Sequence, residues 1–295
     1  MDISFVVSPM KQEIDLRPGE IYEGFILVAN PLAATDSFDY KVVVKPYFVT
    51  GDNNEPDLET VSDWSKIVNW ITIEESTGTL APNEKKTIHF KIKVPESVPA
   101  GGQYAMIGVS SIPRFQGKDT QVQDAYTLGS LIYAKVDGET VHEGQILENY
   151  IPGFSSSGSP VTFVTVTNTG NIHETLTVDL KVKNLLGGQV FSLTGEETDT
   201  YESIILPTST RVVSRSLDGL PALGIFEVTQ DASFINELST NTKIILICPI
   251  WFMVLVLVLA TTIITTIVYK VLRRKRTKKS KKQLHFEDTD DKIES

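Results

Sequence analysis

An uncharged, mostly apolar stretch of 26 residues, at positions 244–269, constrains this chain more than any other feature of its sequence. As a helix it would be about 39 Å long, which exceeds the roughly 30 Å hydrocarbon core of a bilayer. It therefore predicts one transmembrane helix. Nine of the thirteen residues at positions 270–282 are Lys or Arg, whereas only Lys243 lies close upstream. Because positive charge is retained on the cytoplasmic side, we expect residues 1–243 outside the cell and residues 270–295 inside.

Aromatic and basic residues at the ends of this stretch are predicted to anchor the helix. Aromatic rings favour the level of the lipid headgroups, and basic side chains favour the cytoplasmic surface. The predicted anchors are Trp251, Tyr269, Lys270, Arg273 and Arg274.

Four threonines form a small polar face on the predicted helix, at positions 261, 262, 265 and 266. One interpretation is that this face packs on a second membrane helix. The alternative is that each hydroxyl bonds back to a carbonyl of its own helix, which then faces lipid.

Charge and cysteine usage indicate where the first 243 residues work. The tail after residue 269 holds ten of the 27 basic and five of the 37 acidic residues, which leaves 17 basic and 32 acidic residues before it, a net charge of −15. Nucleic acid is therefore not an expected partner. Cys248 is the single cysteine and no Asn-x-Ser/Thr acceptor occurs, which favours a bacterial surface protein. Residues 1–5 do not form a secretory signal, so we expect that a leader was removed or that the true start lies upstream.

Ahead of the helix, the periodic segments repeat every two residues. In residues 87–94 and 177–183 apolar and polar residues alternate, as in a strand with one buried face. Similar segments recur about every ten residues with Pro, Gly, Asn and Asp between them, which is typical of antiparallel sandwiches. The sequence predicts an all-β ectodomain of two tandem Ig-like β-sandwiches, followed by a single transmembrane α-helix.

A repeated order of turns indicates a duplication. Residues 80–84 (LAPNE) and 98–102 (VPAGG) each precede a strand, and residues 206–210 (LPTST) and 220–224 (LPALG) follow the same order further on. Asn30 and Asn168 each end a strand and open a turn. The predicted domains are residues 1–138 and 139–230, followed by a polar stalk at 231–243, the helix at 244–269, and a basic and then acidic cytoplasmic tail at 270–295.

Residues suited to catalysis or metal binding are sparse. His89, His142 and His173 stand singly on polar faces or in turns, without a partner at metal-ligand spacing, and we expect solvated surface positions for them. No cysteine nucleophile, phosphate-binding loop or hydrolase motif precedes the helix. We therefore expect no enzyme activity, no metal and no cofactor. Residues 51–57 concentrate oxygen ligands, but Pro56 breaks the calcium-loop pattern, so an acidic turn is expected and calcium is the alternative.

Aromatic residues around that turn are the candidate binding residues. Rings beside a turn either form a platform for a sugar or a peptide, or fill the core of the sandwich. We predict a ligand contact for at least one of Tyr47, Trp64 and Trp70, with core packing as the alternative.

Several motifs resemble those of the WxL-interacting surface proteins of Gram-positive bacteria. The motifs occupy residues 5–9 (FVVSP), 16–20 (LRPGE), 80–87, 100–109 (AGGQYAMIGV) and 126–131 (YTLGSL). The order of parts is similar too, because that family has two Ig-like domains, one C-terminal transmembrane helix and a short basic tail. The resemblance implies a first domain associated with peptidoglycan and a second associated with host or partner proteins.

Together these patterns predict a non-enzymatic protein of the cell membrane, with its N-terminal domains extracellular. It would bind cell-wall glycan, a partner surface protein or a host protein through its sandwiches. The alternative function is a structural subunit of a membrane assembly that packs through the transmembrane helix. A membrane-tethered hydrolase is a third interpretation, which the missing catalytic constellation disfavours.

Overall fold

The computed structural model describes residues 5–31, 34, 37–50, 55–112, 127–185, 190–191 and 198–290, with side chains up to Arg273 except those of residues 50, 190 and 191. As far as Ile247 the regular structure of the described chain is β-strand, apart from a short 3-10 helix at Lys66–Asn69. From Ile250 the chain is an apolar α-helix. The prediction of an all-β region followed by one apolar helix is confirmed.

Two sheets enclose the core of the first half. Its strands are β1 (Val6–Ser8), β2 (Lys11–Leu16), β3 (Ile21–Ala29), β4 (Phe38–Pro46), β5 (Phe48–Thr50), β6 (Glu55–Asp57), β7 (Ile71–Ile73), β8 (Thr77–Leu80), β9 (Lys85–Lys93), β10 (Gly101–Ile112) and β11 (Thr127–Val136). One sheet has the order β1-β3-β9-β7 and the other β2-β11-β10-β4-β8, while β5 and β6 form a separate ribbon. Ile26 and Phe90 from one sheet and Tyr40 and Ile107 from the other are fully buried in a shared core, so the two sheets form a sandwich.

The second half is also a sandwich. Its strands are β12 (Gly144–Tyr150), β13 (Phe154–Ser155), β14 (Val161–Asn168), β15 (Glu174–Asn184), β16 (Val190–Phe191), β17 (Asp199–Ile205), β18 (Ser209–Ser216), β19 (Gly224–Phe234) and β20 (Glu237–Ile247). The smaller sheet has the order β12-β14-β18 and the larger one β13-β20-β19-β15-β16, with β17 also paired to β15. Between them lie two apolar clusters, one around Phe226 and one around Phe234. The buried Gln230 belongs to neither cluster, and its amide donates to Asn149 Oδ1 at 2.7 Å.

The alternation seen in the sequence sets the faces of these strands. In β9 the side chains of Ile88, Phe90 and Ile92 are buried, while the residues between them are exposed or half-buried. Successive side chains of a strand point to opposite faces, so every second residue enters the core. Strand β10 differs, because it is buried on both faces from Gly101 to Val109. One face lies on the core, and the other contributes to the contact between the two sandwiches.

Both sandwiches have the same connectivity, as the repeated turns indicate. In the first, the opening strand is split between the sheets, because β1 pairs with β3 whereas β2 pairs in parallel with β11. In the second, β12 pairs with β14 and β13 pairs in parallel with β20. β11 ends at Val136 and β12 begins at Gly144, so the boundary predicted after residue 138 falls in the connection between the sandwiches.

The two asparagines singled out in the sequence make the same contact. The buried amide of Asn30 donates to the carbonyl of Leu80 at 3.3 Å, and that of Asn168 donates to the carbonyl of Ile205 at 2.9 Å. Each carbonyl ends a strand, and three residues later the chain turns through a positive φ, 62° at Asn83 and 51° at Thr208. An amide thus holds the same turn in each half of the chain.

The stalk predicted at residues 231–243 is wrong, because these residues belong mainly to β19 and β20, which are paired from Gly224 and Ile247 to Phe234 and Glu237. The N-terminal part of β20 lacks a regular alternation of apolar and polar residues. Its Asn241 instead donates to the carbonyl of Asn149 at 2.7 Å. A strand that pairs its polar side chains in this way resembles a linker in sequence.

The helix begins at Ile250, six residues later than predicted. Ile245 and Ile247 are fully buried in the second core, so these residues complete β20. Hydropathy did not separate a buried strand end from a membrane helix, because both are apolar. The break occurs at Pro249, whose carbonyl accepts from Phe252 and Met253, and proline suits a helix start because it lacks an N–H.

The apolar helix α1 (Ile250–Asp290) is long enough to cross a membrane over Ile250–Arg273. Trp251 and Tyr269 are exposed near the ends of this span, 18 residues and so about 27 Å apart. Lys270 and Arg273 follow in the same helix, and the backbone of Arg274 continues it. The placing of these five predicted anchors is therefore compatible with a membrane span.

The four threonines of the small polar face bond within the helix. The hydroxyl of Thr262 donates to the carbonyl of Val258 at 2.6 Å, and that of Thr266 donates to the carbonyl of Thr262 at 2.8 Å. Thr261 and Thr265 do the same with carbonyls three or four residues earlier. The hydroxyls therefore need no partner helix to satisfy them.

Candidate binding surface

Two of the three predicted binding residues lie where the sandwiches meet. Tyr47 and Trp64 are half-buried beside a cluster of Val49, Tyr104, Tyr133 and Leu206, of which Leu206 belongs to the second sandwich. The indole N–H of Trp64 donates to Thr208 Oγ1 of the second sandwich at 2.8 Å. These rings therefore join the two sandwiches to each other.

A tyrosine and a histidine form the centre of this contact. The hydroxyl of Tyr104 accepts from the backbone N–H of His173 at 2.9 Å and lies 3.2 Å from its Nδ1. The His173 ring lies edge-on to Tyr104 and to Tyr133, with ring centroids 5.7 and 5.1 Å apart. His173 was expected at a solvated position, and this is wrong. The residue is a single histidine at a turn in the sequence, and only the packing of the sandwiches encloses it.

Backbone contacts fix the same interface. The carbonyl of Asn171 accepts from the N–H of Gly102 at 2.7 Å, and its side-chain oxygen accepts from the N–H of Val141 at 2.7 Å. Gly101 has φ +123°, and a side chain added there would collide with the Asn171 carbonyl. Close approach of the two backbones therefore requires glycine.

Burial dominates the electrostatics of the interface. It raises the pKa of the Tyr104 and Tyr133 hydroxyls and lowers the pKa of the His173 imidazole, an effect that the Glu13 carboxylate partly opposes. Removing these groups from water disfavours the charged form of each. The tyrosines stay protonated and His173 stays neutral near pH 7, so these three groups carry no charge.

The third predicted binding residue packs elsewhere. Trp70 is half-buried against the core of the first sandwich, and its backbone carbonyl accepts from the N–H of Lys93 at 2.9 Å. A ligand contact for Tyr47, Trp64 or Trp70 stays a prediction, since each retains some exposure. The structure therefore brings Tyr47 and Trp64 together, both in packing roles. Trp70 lies apart from them.

The other ectodomain histidines make separate contacts. His142 Nδ1 lies 2.5 Å from Glu174 Oε1, and the ring of His89 lies 6.3 Å from that of Phe25. Residues 51–54 of the acidic loop lie outside the described residues. Within the described ranges no group of three His, Cys, Asp or Glu side chains is placed to hold a metal ion.

An exposed apolar strip lies on the outer face of the β1-β3-β9-β7 sheet. Phe25 of β3 is 54% exposed, and Leu27 follows on the same face. Val6 of β1 is also exposed and pairs with Ala29, next along that face. We call this set, Val6, Phe25, Leu27 and Ala29, the Phe25 strip. Exposed apolar residues that adjoin one another differ from isolated ones, because contiguous apolar surface marks interaction sites.

Charged side chains border the Phe25 strip. Lys91 of β9 lies between Glu23 and Glu74, with Nζ to carboxylate distances of 3.1 and 3.2 Å. Both carboxylates raise the pKa of Lys91, which stays charged. An apolar centre with a charged rim is the usual anatomy of a protein interface.

Sequence reasoning missed Phe25. In β3 (Ile21–Ala29) both faces carry apolar residues, so the sequence gives no preference between them. Ile26 and Val28 are fully buried and Phe25 is not. Phe25 is followed by Ile, Leu and Val without a polar residue between them. This unbroken apolar run is the one indication in the sequence that both faces of β3 carry apolar residues.

No protein-family model and no curated protein matches the chain. Among solved structures, the chain is similar to a chaperone and tip-adhesin complex of CFA/I fimbriae biogenesis (TM-score 0.41, 11% identity, 81% of this chain and 98% of that chain). It is also similar to a chaperone and tip-subunit pre-assembly complex, CsuC-CsuE, of Acinetobacter baumannii (TM-score 0.41, 13% identity, 82% of this chain and 98% of that chain). A third similar structure is the Escherichia coli chaperone DraB (TM-score 0.36, 14% identity, 82% of this chain and 97% of that chain). Because identities and TM-scores are this low, we base the proposed function on the residues of this chain.

Proposed function

We propose that this chain is a non-enzymatic, membrane-anchored surface protein that binds a protein partner through the Phe25 strip. The observation that carries the proposal is the exposure of Phe25 at the centre of an apolar strip with a charged rim. An exposed aromatic ring is a strong candidate for a binding anchor, since buried aromatics contribute most to interface affinity.

The rest of the ectodomain acts as a rigid support. Its three histidines are engaged separately, with Glu174, with Phe25 and with Tyr104. We infer that both sandwiches are Ig-like, because they share one connectivity with a first strand split between the sheets. A protein partner also agrees with the resemblance to WxL-interacting proteins, which associates such chains with other surface proteins.

The alternative, assembly through the membrane helix, has less support. Every threonine hydroxyl of the polar face donates to a carbonyl of its own helix, for example Thr265 to Thr261 at 2.9 Å. A lipid-facing helix accounts for these bonds without a second helix.

Replacing Phe25 by alanine is expected to weaken partner binding at least thirtyfold, which corresponds to about 2 kcal/mol. The full chain is first captured on its partner by a photocrosslinking phenylalanine analogue at position 25 in the cells that produce it. Binding of the identified partner is then titrated against the full chain in detergent micelles. Because Phe25 is exposed, its replacement should change stability by no more than about 0.5 kcal/mol.

The matched control is Leu128→Ala, because Leu128 is exposed on the other sheet of the same sandwich. It should bind as the original chain does. Equal binding by the Phe25 and Leu128 variants would place the contact elsewhere. So would crosslinking that is as strong from position 128 as from position 25.

We propose that the sandwiches lie outside the cell and the tail inside, because nine basic residues follow the helix and only Lys243 closely precedes it. Protease added to intact cells is expected to remove the sandwiches and to leave a tag placed after Ser295 protected. Permeabilised cells provide the control, since the tag must become accessible there. Loss of the tag from intact cells contradicts the topology.

A further inference from the structure

An apolar row crosses the larger sheet of the second sandwich at the end nearest the helix. On its outer face Leu246 of β20 pairs with Phe154 of β13 on one side and with Ile225 of β19 on the other. Leu185 follows at the end of β15, where its N–H donates to the carbonyl of Ile225 at 2.9 Å. We call Phe154, Leu246, Ile225 and Leu185 the base row. Phe154 is 47% exposed and Leu246 43% exposed.

The same face becomes polar over the next three rows away from the helix. The first of these rows holds Ile244, Glu227 and Lys183, the second Thr242, Thr229 and Lys181, and the third Thr240, Asp231 and Asp179. In the third row Thr240 donates to Asp231 Oδ1 at 2.6 Å. Leu238, which is 71% exposed, stands singly at the far end of this face, whereas adjoining exposed apolar side chains are grouped at the end next to the helix.

Covalent geometry keeps the base row close to the predicted membrane. Ile250, where the helix begins, is four positions after Leu246, and a fully extended chain of that length spans at most about 14 Å. Trp251 is exposed at the first turn of the helix, where a tryptophan favours the lipid headgroups. The headgroup region is itself roughly 5 to 7 Å deep on each side of the hydrocarbon core.

The opposite end of the sheet contacts the first sandwich. His173 lies just before β15 and Leu185 just after it, so the interface and the base row are separated by the length of an 11-residue strand, about 36 Å. The first sandwich therefore does not cover the base row. Whatever contacts the base row must therefore approach from the side of the helix.

We propose that the base row docks on the outer surface of the bilayer that holds the helix, with its apolar side chains among the lipid headgroups and upper acyl chains. This inference rests on the membrane anchoring proposed above. The base row adjoins the helix, and the same face becomes more polar with distance from the helix. Both observations favour lipid as what the base row contacts. Lys183 lies in the next row, where its amine meets the level of the lipid phosphates. The second sandwich is then held by two contacts, the helix and the base row.

The test uses the full chain in lipid vesicles, with the native cysteine replaced by Cys248→Ala. A polarity-sensitive fluorophore is attached after Leu246→Cys, Ile244→Cys or, as the matched control three rows above the base row on the same strand and face, Thr240→Cys. Quenching is measured with brominated phospholipid in the vesicles and with iodide in the water. We expect brominated lipid to quench positions 246 and 244 and not 240, and iodide to quench 240 most strongly.

The other outcomes overturn the proposal. Equal iodide quenching at 246, 244 and 240 without lipid quenching would show that the base row faces water. Protection of 246 and 244 from both quenchers would show that protein covers the row. A label after Leu257→Cys separates a failed anchor from a failed row, because Leu257 lies inside the membrane span and brominated lipid must quench it if the helix is inserted. Thermal unfolding of each labelled chain confirms that it remains folded.

Discussion

Phe90→Ala should lower the free energy of unfolding of the first sandwich by about 3 to 5 kcal/mol. Phe90 is fully buried in the core, and its ring lies over Gly24 of the neighbouring strand, where no side chain fits beside it. Glycine has nothing to move into the space that the ring leaves, so the cavity should persist and the cost should be near the upper end of this range. Urea unfolding of the full chain with Trp251→Phe in detergent micelles, followed by the fluorescence of Trp64 and Trp70, measures the change.

Phe226→Ala is the matched variant in the second sandwich, where Phe226 is fully buried. Its cost should be similar, but it should appear in the far-ultraviolet circular dichroism before the fluorescence, because the second sandwich contains no tryptophan. A loss of less than about 1 kcal/mol for either variant would contradict the core assignment.

Tyr104→Ala is expected to weaken the contact between the sandwiches by about 3 to 5 kcal/mol, because it removes a fully buried ring and its bond to His173. Two sandwiches that unfold together in the original chain should then unfold in two separate transitions. Circular dichroism and tryptophan fluorescence, recorded on the same sample, should give different midpoints.

The matched control is Tyr104→Phe, which keeps the ring and removes the hydroxyl. It leaves the backbone N–H of His173 buried without its acceptor, at a cost of about 1 to 3 kcal/mol. The alanine variant must therefore be the more damaging of the two. Equal effects, or coincident midpoints in the alanine variant, would mean that the sandwiches are not coupled through Tyr104.

Most of the fold could be predicted from local patterns in the sequence. Period-two alternation placed β9 and β15, and the asparagine and proline turns revealed that one connectivity occurs twice. Alternation reports which residues face a core. It fails in β20 for two reasons. Asn241 bonds a polar partner, and the apolar end of the strand at Ile247 is followed almost directly by an apolar helix.

The candidate surface was less predictable, because exposure depends on contacts between distant residues. Trp64 is an aromatic beside a turn and seemed suited to a ligand, but Thr208, which is 144 residues away in the chain, accepts its N–H. Phe25 resembles a core residue in sequence, and only the pairing of β3 with its neighbours turns it outward. Which apolar face a sandwich buries is a property of the assembled sheets.

The short join at Cys248 and Pro249 has a mechanical consequence. With the helix anchored in a bilayer as proposed, a partner pulling on the first sandwich is resisted through this join, and tension leaves the second sandwich along the axis of β20. That strand is paired with β19 at eleven positions. A pull along the strand loads these hydrogen bonds in shear, so that they must break together rather than in turn. The strand that leads into the helix is therefore held by bonds that resist force collectively.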